Sequence, residues 1–140
     1  MPCPADEGSA ATTSGIIVGT VGYASPEQVS GGPVDSRADL FSIGVILYEM
    51  LTGIPPFRRE SAIETLHAIL KEDPIALRRQ RRGITGDLDA IVARCLHKSP
   101  DFRFQSSNDL AFSLELSLQR IGVRDAPPLS RRIAAMLRLV

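Results

Sequence analysis

A chain of 140 residues, 44% hydrophobic and 23% charged, has the size and make-up of one globular domain. Its 16 basic and 16 acidic residues cancel, so nothing global points to nucleic acid or a membrane surface as partner. Two cysteines, Cys3 and Cys95, match no metal spacing and argue against a disulfide framework; no basic stretch followed by an apolar run opens the chain, so no signal peptide is visible and a reducing, cytoplasmic setting fits best.

Residues 1–14 are small, polar and proline-containing, and are expected to form a flexible loop. Residues 16–18 are a short β-branched run that fits an extended segment against the body. The glycines of 19–22 permit tight backbone turns. Ser25 before Pro26 and Glu27 places an N-cap ahead of a proline at the first helical position, which predicts a short helix there.

Residues 35–53 are the stretch around which the rest is expected to pack. No charge interrupts them between Leu40 and Tyr48. Ser36 with Asp39 has the form of a capping box, and Gly53 before Pro55 and Pro56 has the form of a helix stop. The apolar residues between cover more than one face, which predicts a buried helix, and it is too short for lipid.

Residues 61–72 place Ile63, Leu66, Ile69 and Leu70 at amphipathic helical spacing, ended by Asp73-Pro74. Residues 76–83 read as a basic loop or short helix. Residues 85–97 predict another amphipathic helix, with Asp87 and Asp89 in its first turn and Cys95 as a buried thiol. His67 and His97 fall within or at the ends of helical patterns and read as structural. Residues 110–118 conflict: Leu110, Phe112, Leu114, Leu116 and Leu118 alternate like a strand, yet 110, 114 and 118 are four apart and Ser106 with Asp109 resembles a cap. We read a helix. The arginines at 78–82 and the basic tail read as solvated faces. Residues 130–140 fit a basic amphipathic helix. Residues 133–140 are too short to span a membrane and contain Arg138, so a loosely attached tail is expected.

Four of these stretches, in this order, carry a resemblance. They are Gly19-Thr20 with Tyr23 and Ser25-Pro26-Glu27; Asp39-Leu40-Phe41-Ser42 with Gly44; Gly53 with Pro55-Pro56-Phe57; and Pro100 with Arg103. Together they resemble the C-terminal lobe of a bacterial, eukaryotic-like Ser/Thr protein kinase, from 15 to 121. The resemblance implies an all-α helical lobe packed around one central buried helix, with the N-terminal lobe absent. It divides the chain into a partial activation loop (1–14), a C-lobe fragment (15–121), and a linker with a basic tail (122–140). The Gly-rich loop, strand lysine, His-Arg-Asp loop and Asp-Phe-Gly motif of phosphoryl transfer are missing from the sequence, and Asp101-Phe102-Arg103 does not replace the last of these.

The implied function is that of a fragment. The family transfers the γ-phosphoryl group of ATP, with Mg²⁺, to protein Ser or Thr. This chain is expected to hold no catalytic residue and no cofactor or metal ligand. Gly19, Thr20, Val21, Gly22 and Tyr23 would form the wall that receives the substrate, with the Thr20 hydroxyl facing the catalytic loop. Glu27 and Arg103 would form a structural ion pair. Asp39 and Gly44 would be the central-helix motif, Asp39 also completing the cap with Ser36. Thr12, Thr13 and Ser14 lie where activation loops are phosphorylated. Protein substrates or regulators are the implied partners, without nucleic acid and without a membrane span. Apolar surface left uncovered near 19–23 and at the start of the central helix implies self-association. The alternatives are a non-catalytic helical protein-binding module and a truncated remnant.

Overall fold

The computed structural model describes residues 20–121, which form six α-helices and one 3-10 turn, with no strand among the described residues. In chain order they are α1 (Pro26–Ser30), α2 (Ser36–Thr52), α3 (Ala62–Lys71), α4 (Leu77–Gln80), α5 (Gly86–Cys95), the 3-10 turn (Pro100–Phe102) and α6 (Ser107–Arg120). None of these helices is long and apolar enough to cross a membrane.

Local chemistry sets most of the helix ends. The Ser25 hydroxyl accepts from Gln28 N–H while the Gln28 side chain accepts from Ser25 N–H, with Pro26 at the first position of α1. Ser61 and Glu64 close the same reciprocal box on α3. Thr85 caps α5 and Ser106 caps α6, each through its hydroxyl. Such caps each contribute about 1 kcal/mol. Gly53, at φ 78°, ends α2 in the left-handed conformation that a side chain would resist.

The cap of α2 differs from the expectation. Asp35, not Ser36, is the N-cap: its carboxylate accepts from Arg37 N–H at 2.8 Å, and Asp39 lies exposed on the helix. The Arg37 guanidinium grips the same carboxylate, which holds the Asp35 rotamer in its capping position. The capping role read for Asp39 is therefore overturned. The helix is also not covered all round. Ala38, Leu40, Phe41, Val45 and Tyr48 are buried, whereas Ile43, Ile46 and Met50 are exposed to 38%, 46% and 73%. These three fall in line with Asp39 at helical spacing and make one bare stripe.

The core forms on the opposite side of α2. Phe41, Val45, Tyr48, Phe57, Ala68, Ile69, Leu77, Val92 and Leu96 make one cluster, in which Phe41 and Phe57 stack with centroids 5.8 Å apart. Leu40, Ile91, Cys95, Phe104 and Leu110 make a second. Gly44 lets α2 and α5 meet: a Cβ built there would lie 2.5 Å from the Cβ of Cys95. In α3 the buried face is Thr65, Ala68 and Ile69, while Ile63, expected inside, is 79% exposed. α6 resolves the strand–helix conflict as a helix. Leu110, Leu114 and Ser117 turn inward and Phe112, Leu116 and Leu118 turn outward, so the alternation had no face to serve.

Candidate functional site

The segment from Thr20 to Gly31 is held by three kinds of contact. Two successive turns, Tyr23 N–H to Thr20 carbonyl at 3.2 Å and Ala24 N–H to Val21 carbonyl at 3.1 Å, fold it back on itself. The Ser42 hydroxyl of α2 donates to the Tyr23 carbonyl at 2.7 Å, and the Tyr23 hydroxyl donates to the Glu49 carboxylate, about two turns further along the same face of α2. That hydrogen bond, with burial and the nearby charge of Glu49, pushes the Tyr23 phenol above its ordinary range. The segment and α3 bound a shallow cleft of about 470 Å³. Val21, Tyr23, Val29 and Leu66 supply its apolar lining, with Thr20, Gln28 and Ser42 as polar neighbours, and none of the described residues that line it is charged. Gly22 sits where a Cβ would meet nothing within 4 Å.

Behind this wall lies the pair between Glu27 and Arg103. Arg103 Nη1 and Nη2 donate to the two carboxylate oxygens at 2.7 and 2.8 Å. The guanidinium is wholly buried, so each remaining N–H also needs a partner. Nε donates to the His97 carbonyl at 2.8 Å, Nη1 to the Arg37 carbonyl at 3.0 Å and Nη2 to the Lys98 carbonyl at 3.0 Å. All five donors are satisfied, and the guanidinium Cζ lies 5.0 Å from the centre of the Phe41 ring. One side chain thus joins α1, the start of α2 and the turn after α5. Burial alone would raise the Glu27 carboxyl, but the Arg103 hydrogen bonds, a backbone N–H and the guanidinium charge outweigh it and hold the carboxyl below its ordinary range.

The sequence-derived candidates divide accordingly. Thr20, Val21 and Tyr23 line the cleft, Glu27 and Arg103 meet 76 positions apart, and Gly44 marks the α2–α5 crossing. Asp39 is exposed in the first turn of α2, where Asp35 is the cap. Gly19, Thr12, Thr13 and Ser14 lie outside the described residues. Lys98 is a residue that sequence reasoning passed over. Its Nζ donates to the Ile69 and Ala68 carbonyls at 2.7 and 3.3 Å, closing the C-terminus of α3, and lies 4.0 Å from the Phe57 ring centre. Burial draws its amine down to about 8, against the opposing pull of Asp73 and Glu72. A lysine between two turns carries no periodic signal, so only the fold reveals it.

Comparison with known proteins places these features in context. The protein kinase domain family matches residues 5–111. The chain is 40% identical over 110 residues to the serine/threonine-protein kinase PknB of Mycobacterium tuberculosis, covering 79% of this chain and 18% of that protein. It is 42% identical over 94 residues to the serine/threonine-protein kinase PksC of Streptomyces coelicolor, covering 67% and 17%. Among solved structures it is similar to the twitchin kinase region from C. elegans, with TM-score 0.61, 31% identity, and coverage of 70% of this chain and 17% of that one. The chain thus spans less than a fifth of the length of these relatives. Among the described residues, none that lines the cleft is charged, and no three His, Cys, Asp or Glu residues converge.

Proposed function

The chain belongs to the protein kinase domain family, and from that premise we propose that it is the substrate-side lobe of a serine/threonine kinase domain, which receives a protein substrate but does not itself transfer phosphate. Its residues 15–121 are the lobe, flanked by 1–14 and 122–140. ATP and Mg²⁺ belong to the complete domain of the family, not to the donor set of this lobe. The reading carries a cytoplasmic location and protein substrates or regulators as partners, without nucleic acid.

The observation that carries it is the uncharged cleft walled by Val21, Tyr23, Val29 and Leu66 and tied to the body through Glu27 and Arg103. Such a wall orients a peptide by shape and apolar contact, which is the positioning part of phosphoryl transfer. Thr20 at its lip is the hydroxyl that the family directs toward the catalytic loop. Thr12, Thr13 and Ser14 are the candidate phosphorylation sites on the segment before it.

The test is a pair of titrations on the full chain. A serine peptide with leucine after the serine should perturb the amide signals of Val21, Tyr23, Val29 and Leu66, and Mg²⁺-ATP should give no saturable heat. Perturbations confined to other residues would remove the substrate wall, and stoichiometric ATP binding would remove the claim of inactivity. A second reading, a non-catalytic helical binding module, is favoured by the bare stripe Ile43, Ile46 and Met50 on α2. It predicts capture of a partner by that stripe and no response of the cleft to the serine peptide.

A further inference from the structure

The helix α6 meets the core on one side only. Leu110, Leu114 and Ser117 turn inward, while Phe112 and Leu116, one turn apart, are exposed to 63% and 41%. By helical spacing this pair lies on the side opposite Leu110 and Leu114, with Asp109 on one flank and Glu115 on the other. Both acids are exposed, and no ion pair engages either carboxylate among the described residues. The one arginine of this helix is engaged elsewhere, since Arg120 pairs with Asp87 at 2.7 Å. An apolar ridge edged by two unpaired carboxylates complements an apolar segment edged by cations.

The sequence carries such a segment a short way downstream. At helical spacing, 130–140 sets Ile133, Met136, Leu137 and Val140 on one stripe, with Arg132 to one side of it and Arg138 to the other. Residues 122–129, with Pro127 and Pro128 among them, join it to α6. That length is within the roughly two to eight residues that connect neighbouring helices in bundles. As a helix, 130–140 would be about 16 Å long, which matches the run of α6 from Asp109 to Gln119.

We propose that 130–140 folds back as a helix antiparallel to α6 and seats its apolar stripe on Phe112 and Leu116. The antiparallel register brings Arg132 level with Glu115 and Arg138 level with Asp109, on matching sides, so each carboxylate faces one guanidinium. The tether selects this face over the bare stripe of α2. A short connection departing from α6 itself keeps the segment at high effective concentration beside α6. The seat replaces the loose attachment expected for the tail from sequence alone, and it rests on no part of the substrate-wall reading.

The experiment places a nitroxide spin label on the tail of the full chain, at Ala134→Cys in a Cys3→Ser background; Cys95 is buried and escapes the label. The amide signals of Phe112, Leu116 and Gln119 should lose most of their intensity, and reducing the nitroxide should restore them. Leu137→Glu removes the stripe and Phe112→Ser removes the ridge; each should abolish the loss. Phe112 belongs to neither core cluster, so its replacement leaves the core intact. Arg132→Glu with Arg138→Glu should also abolish the loss, and adding Asp109→Arg with Glu115→Arg should bring it back. A mixture of spin-labelled chain with isotope-labelled, unspin-labelled chain should show no loss, because the contact is within one chain. Intensity loss centred on 43–50, loss spread evenly over the surface, loss in the mixed sample, or indifference to the variants would each overturn the proposal.

Discussion

Arg103 is wholly buried and has five N–H groups with five protein acceptors, which leaves little tolerance for a partial replacement. Arg103→Ala strands the Glu27 carboxylate in the core, and removing one member of such a pair costs about 3–5 kcal/mol. Arg103→Lys supplies three donors in place of five and no planar fork, so it should recover only part of that loss. The double change to Glu27→Gln with Arg103→Met should cost less than the two single effects summed. Urea denaturation of the four species measures this coupling directly, and simple additivity would show that the pair is not the source of the stability. A second residue-scale prediction concerns Lys98 and Cys95. Burial lowers the Lys98 amine to about 8, while an unfolded lysine titrates near about 10.4, so in that window the folded chain holds fewer protons and stability rises with pH. Burial raises the Cys95 thiol to about 12 from an unfolded value near about 8.5, so in its window the folded chain holds more protons and stability falls with pH. Between about 8.5 and 10 the two slopes oppose each other. The parent chain should be nearly flat there, and Cys95→Ala should show stability rising, read as urea midpoints across that interval.

At the scale of the element, the crossing of α2 over α5 depends on what Gly44 lacks. An alanine there would gain about 1 kcal/mol of helix propensity, but its Cβ would sit 2.5 Å from that of Cys95 and force two backbones apart. Overpacking of this kind costs about 1–3 kcal/mol. Gly44→Ala should lower the melting temperature, whereas Gly22→Ala, in open space, should leave it unchanged; a calorimetric scan of both distinguishes the crossing from a general intolerance of the motif. The elements themselves were largely legible in the sequence. Ser25 and Ser106, read as caps, marked the starts of α1 and α6, apolar spacing marked α3 and α5, and Gly53 marked the end of α2. Where the reading slipped, tertiary contacts decided. Asp35 and Ser36 are adjacent candidate caps, and the grip of Arg37 on Asp35 settles between them. Ile63 fits an apolar stripe by spacing, yet α3 docks through Thr65, Ala68 and Ile69. The wall residues and the Glu27–Arg103 pair were visible only through the resemblance; composition carries no sign that two charges 76 positions apart meet.

For the molecule as a whole, the bare stripe of α2 is the largest departure from a helix buried all round. Its position is further along α2 than the start of the helix, where uncovered surface was expected, because Ala38, Leu40 and Phe41 are already covered by the core. A line of Ile43, Ile46 and Met50 on a chain of this size favours association. Sedimentation equilibrium should show concentration-dependent self-association, and Ile46→Lys should reduce it without lowering the melting temperature, since Ile46 supports no core contact on the far side. A strictly monomeric parent chain would refute this.

The Arg103 node also bears on the order of events in time. Its five bonds draw on Glu27, Arg37, His97 and Lys98, so the contact cannot close until α1, the start of α2 and the end of α5 have all arrived. Bringing together groups 76 positions apart costs loop entropy that short-range helix contacts avoid, and the expectation is that the node closes after the rate-limiting step of assembly. Interactions made after that step slow the escape from the native state and leave the approach to it untouched. The guanidinium is then a latch on lifetime. Arg103→Lys should leave the refolding limb of a denaturant chevron unchanged and should raise the unfolding limb, giving a chain that assembles as fast as before and comes apart sooner.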